Sequence, residues 1–195
     1  MDFFIDFFAD RNLFLLLHIV SFAIGLGGAT IADIFFFKFL KDFRISEAES
    51  ETLDTLSRVI WVALGVIVVS GVGLYLPNAE ALNQVPKFLV KMIVVGVLIV
   101  NGIFLNLLVA PRLVKIAFHQ KHFHEKNELH HIRKIAFALG AISITSWYSA
   151  FFLGFLPKNI PFNFSEILLA YFLILGVAVV GSQIFDHFFV RQKGA

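Results

Sequence analysis

Leu13-Phe-Leu-Leu-Leu-His18-Ile-Val-Ser-Phe-Ala-Ile-Gly25-Leu-Gly-Gly28-Ala-Thr-Ile-Ala-Asp33-Ile-Phe-Phe-Phe37 is an apolar run interrupted by only two ionisable side chains. A helix needs about 20 residues, at about 1.5 Å each, to cross a hydrocarbon core of about 30 Å, so this run is long enough to span. Four further stretches, residues 59–77, 88–110, 135–156 and 164–185, have the same character. Lipid offers backbone amides no partner, so spans of this kind must be helical. No period-two alternation is present to suggest a β-barrel. The sequence therefore predicts an all-α polytopic transmembrane bundle of five spans, with residues 1–195 as one domain.

Composition agrees. The chain is 58% apolar and 15% charged, has 25 phenylalanines and a mean hydropathy of +0.84. Soluble domains are about 45–50% apolar and about 25% charged. A soluble nucleic-acid binder, a disordered chain and a disulfide scaffold are excluded. The absence of cysteine removes thiolate metal sites and thiol nucleophiles. The acidic start (Asp2, Asp6, Asp10) is unlike the basic start of a secretory signal, and reads as an interfacial lead-in to the first span.

Charge placement sets direction. Twelve of the 16 Lys and Arg residues fall on the side that holds Lys38, Arg58, Arg133 and Arg191; Arg11, Lys87, Lys91 and Lys158 fall on the other. The positive-inside rule then places the N-terminus outside and the C-terminus in the cytoplasm of a cell (inner) membrane. Ser46 with Glu49 and Asn163 with Glu166 have the spacing of capping boxes that start the second and fifth helices.

Helices in lipid pack through small residues. His18, Ser21, Gly25, Gly28 and Ala32 form such a seam on the first span, and Gly140, Ser143, Trp147, Ala150 and Gly154 on the fourth. Lys91, Gly102 and Asn106 mark a stripe on the third, and Gly176, Gln183 and Asp186 a face on the fifth. Close packing explains the glycines, and the same seams allow a homo-oligomer. The polar residues on them point further, because an ionisable group within a span marks a functional site by default. Three constellations result. His18 and Lys91 sit at similar depth near the outer end, with Trp147 and Tyr148 expected near that level. Asp33, Arg58, Asn106, Gln183 and Asp186, with His187, sit near the inner end, where an Asp33–Arg58 pair is expected to neutralise the carboxylate. The loop histidines His119, His122 and His124 have spacing that suits a transition metal, as equally they suit a solvated loop.

The run Leu17-His18-Ile-Val-Ser-Phe-Ala-Ile-Gly25-Leu-Gly-Gly28, with Ser70-Gly71-Val-Gly73-Leu-Tyr-Leu and Phe88-Leu-Val-Lys91-Met-Ile-Val-Val, resembles the opening spans of the HemJ-type protoporphyrinogen oxidases and their CopD-like membrane relatives, over about the first 110 residues. The resemblance implies haem b, with His18 as an axial ligand and metal-binding residue. It implies Lys91 as the functional, catalytic partner, next to a haem propionate or an anionic tetrapyrrole. Three readings follow: a haem-b redox protein with a tetrapyrrole or electron-transfer partner, a small ion-coupled or metal transporter using Asp33, Asp186 and the histidine loop, and an assembly subunit without chemistry of its own.

Overall fold

The computed structural model describes residues 11–42, 46–109, 126–158 and 160–193. The acidic lead-in and the histidines His119, His122 and His124 lie outside the described residues. The chain runs as α1 (Arg11–Asp42), α2 (Glu47–Tyr75), a 3₁₀ turn (Leu76–Asn78), α3 (Ala79–Asn83), α4 (Pro86–Phe104), a π turn (Leu105–Val109), α5 (Lys126–Phe155) and α6 (Phe164–Lys193). Five of these helices, α1, α2, α4, α5 and α6, are long and apolar enough to cross a membrane.

Local chemistry starts and stops them where the sequence predicts. Ser46 Oγ accepts the Glu49 N–H at 3.3 Å, and the Glu49 carboxylate accepts the Ser46 N–H at 2.9 Å, closing the capping box of α2. Asn163 and Glu166 exchange the same pair of bonds at the start of α6, at 3.0 and 2.9 Å. Pro86 opens α4 at a position where its missing N–H is not needed. Lys87 Nζ donates to the Leu156 carbonyl, satisfying an acceptor at the end of α5.

Side-chain contacts define an up-and-down bundle. A Cβ on Gly73 would stand 2.5 Å from the ring of Phe14, and one on Gly28 would stand 3.1 Å from Ile60, so α2 lies antiparallel and close against α1. Gly25 receives the indole of Trp147, where a Cβ would meet Cη2 at 2.6 Å, tying α1 to α5. Asn101 ties α4 to α5, and Ser146 meets Tyr171 Oη at 2.9 Å between α5 and α6. Two apolar clusters fill the interior. One gathers Ala29, Leu64, Ile67, Leu98 and Trp147; the other gathers Val90, Val94, Ala150, Leu153 and Tyr171. For reference below, the Pro86 end of the bundle holds the starts of α1 and α4, and the Ser46 end holds the start of α2.

The seam on α1 packs as expected, with Ser21, Gly25 and Gly28 buried. That on α4 is one residue off. Val90, Val94, Leu98 and Asn101 are the buried positions, whereas Lys91 and Gly102 are half-buried and Asn106 is exposed. The physical reason is Lys91, whose ammonium cannot be enclosed among apolar side chains, so the helix turns Val90 inward instead. Gly154 and Gly176 are exposed rather than packed, because α6 rests on α5 and α4 at the rim of the bundle.

Candidate functional site

At the Pro86 end, His18 is half-buried between α1 and α2. Its Nδ1 lies 3.1 Å from Ser70 Oγ, and its ring covers Gly71, where a Cβ would stand 3.5 Å from Cε1. Ser70 is buried, and its Oγ also lies 2.6 Å from the Val66 carbonyl and 3.2 Å from that of Ile67. With the Ser70 proton on a backbone carbonyl the hydroxyl accepts from Nδ1–H; with it turned toward His18 the ring nitrogen accepts. Lys91 of α4 is the charge that acts on the ring. His18 and Lys91, from different spans, thus share one neighbourhood.

Trp147 and Tyr148 do not sit with them. Trp147 packs on Gly25 and Phe22, the latter with ring centroids 5.7 Å apart, two helical turns along α1 from His18. Tyr148 is exposed and reaches Thr30 Oγ1 at 3.4 Å, further still toward the Ser46 end.

Beyond Trp147 the bundle is hollow. A cavity of about 1020 Å³ lies between α1, α2, α4 and α5. Its inner end is closed by Trp147, Leu64 and Leu98, all buried, and its outer rim carries Glu47, Glu51 and Asp54, all exposed. Asp33, Asn101 and Asn106 line it, together with Trp61, whose indole fits over Gly102. Four acidic side chains and no Lys, Arg or His line this space among the described residues. Low-dielectric walls lined by one sign of charge concentrate the opposite sign.

Two acceptors on this wall are unsatisfied. Asn101 is 5% exposed; its Nδ2 donates to the Leu139 carbonyl at 3.1 Å, and its Oδ1 has no partner. Asp33 Oδ2 is likewise buried without a partner. Its Oδ1 lies 3.9 Å from where a Gly140 Cβ would be, so Asp33 and Asn101 meet the same turn of α5.

The expected Asp33–Arg58 pair is not formed. Arg58 bridges Asp54 at 2.6 Å and is 79% exposed, because a partner one turn back on its own helix is within reach without crossing the bundle. Asp186 does not join Asp33 either. It is fully buried, and its carboxylate is held by Arg133 of α5, two turns of α5 away from Gly140. Gln183 donates to the Lys134 carbonyl at 3.1 Å and His187 is exposed, so this second group braces α6 against α5. Sequence reasoning missed Asn101, Trp61, Arg133 and the acidic rim. A full roll of uncharged polar residues within the spans would have found Asn101. Among the described residues no three His, Asp or Glu side chains gather as a metal site.

No family model, no curated protein and no solved structure matches the chain.

Proposed function

We propose that the chain is a multi-pass carrier of the cell (inner) membrane that admits a small organic cation into the acid-lined cavity from the cytoplasm. The observation that carries this reading is the cavity itself: hollow from an acidic rim to a buried carboxylate, and stopped by Trp147 before it reaches His18 and Lys91. The lysine and arginine count puts the rim on the cytoplasmic side, with the N-terminus outside. Trp147 and Gly25 form the partition that must part for a solute to pass. Asp33 is the countercharge within the membrane; Asp186, already paired, is not.

Uptake of ethidium into proteoliposomes, read by its fluorescence on trapped DNA, tests the carrier. The rate should exceed that of protein-free vesicles and fall on the order of tenfold in Asp33→Asn, since a focusing carboxylate raises local cation concentration by at least that factor. Equal rates for protein-containing and empty vesicles would refute it.

A second reading, a haem-b redox protein acting on a tetrapyrrole or in electron transfer, is favoured by one observation. The Ser70 hydrogen bond to Nδ1 orients the His18 ring and leaves Nε2 to face away from it, as ligating histidines are usually held. Lys91 would then stand beside an anionic propionate. The purified protein should show a Soret band that His18→Ala abolishes; a colourless preparation from haem-replete cells counts against this reading alone.

A further inference from the structure

The unsatisfied oxygens on the cavity wall lack one thing in common, a positive charge. Asp33 Oδ2 and Asn101 Oδ1 are both buried acceptors without a donor, on α1 and α4, against the same turn of α5. A buried acceptor left without a partner costs about 1–3 kcal/mol, and more when charged. Among the described residues no donor reaches either oxygen; Asn101 Nδ2 gives one of its two hydrogens to the Leu139 carbonyl. The titratable groups that share the cavity are Glu47, Glu51 and Asp54 of α2, at the exposed rim, with Arg58 already on Asp54; α4 and α5 contribute none to its lining. Among the described residues, Asp33 is the one acidic group that lines the cavity inward of its rim. A divalent ion would leave an excess positive charge in the membrane interior, whereas a monovalent one leaves none.

We propose that Asp33 and Asn101 form a coupling-ion site, which holds one monovalent cation, a sodium ion or a proton, between Oδ2 and Oδ1. Asn101 is a positioning oxygen, set by its bond to Leu139, and Asp33 is the charge. The inference rests on the carrier reading for its role in coupling, though not for its geometry: a cation solute that reaches Asp33 displaces the bound ion, one charge for one charge.

The test is thermal unfolding of the purified full chain in detergent, with sodium titrated against choline at constant ionic strength, and separately with pH varied in choline. The melting temperature should rise saturably with sodium, or rise as pH falls in choline; the first outcome assigns sodium, the second a proton. Asp33→Asn, which is isosteric, should be flat in both titrations. Asn101→Ala keeps the charge and should weaken the apparent ion affinity by about tenfold, as expected for loss of one hydrogen-bonding partner of a charged group. Should Asp33→Asn fail to fold, infrared difference spectra of the parent chain and Asn101→Ala, sodium minus choline and acid minus alkaline, replace it. A parent that responds to neither ion, or a response unchanged by both substitutions, overturns the site. Ion response without ethidium uptake sinks the carrier and leaves the site standing; Asp33-dependent uptake without ion response does the reverse.

Discussion

Two aspartates near the Ser46 end meet opposite fates. Asp186 is fully buried and its carboxylate is gripped by Arg133, with Gln183 bracing the same helix pair one turn away. Asp33, which meets α5 about two turns further along at Gly140, faces a cavity with one oxygen unpaired. Among the described residues, one of these two carboxylates is paired with a cation and the other is not. The Asp186 region is closed and holds helices together. The Asp33 region is open and leaves an acceptor unpaired.

Breaking the closed region should have the largest effect. Arg133→Met leaves Asp186 buried and uncompensated, and should destabilise the protein by about 3–5 kcal/mol in denaturant titrations, with Arg133→Met/Asp186→Leu recovering most of the loss. A double variant no more stable than the single one would mean that the pair is not what holds α6.

A finer comparison uses added methyl groups. At Gly25 a Cβ would stand 2.6 Å from the Trp147 indole, at the partition. At Gly140 its nearest contact is Asp33 Oδ1 at 3.9 Å, inside the open region. Gly25→Ala should cost about 1–3 kcal/mol through overpacking, while Gly140→Ala stays within about 0.5 kcal/mol of the parent. Equal losses would show that the cavity is filled as tightly as the partition.

What was legible in the sequence follows from the range of each interaction. The spans are set by length and apolarity, and the caps of α2 and α6 by residues three apart, so both could be read without knowing any neighbour. Gly25 and Gly28 were also legible, because a seam of small residues announces a close approach whatever lies across it. The stripe on α4 was misplaced by one residue because helix rotation depends on where the Lys91 ammonium can escape, which is a property of the whole bundle. Arg58 was assigned across the bundle, although an acid one turn back on its own helix was nearer. Asn101 escaped notice since an amide carries no charge, and only the loss of a partner on folding makes it conspicuous. Asp33 was recognised as costly from the sequence, but not that its cost is left uncovered.

The π turn that follows α4 has a geometric consequence for the open region. A π turn closes residue i onto i+5 instead of i+4, so it holds one residue more than the α-helical turn it replaces. Five residues on an α-helix diverge by about 140° around the axis; here Asn101 and Asn106, five apart, both face the same hollow. The extra residue acts as slack in a rope. It brings Asn106 round to the hollow that Asn101 lines, while Val90, Val94 and Leu98 keep their seats in the core. The turn thus lets α4 keep its apolar face in the core while two amides, five residues apart, line one cavity.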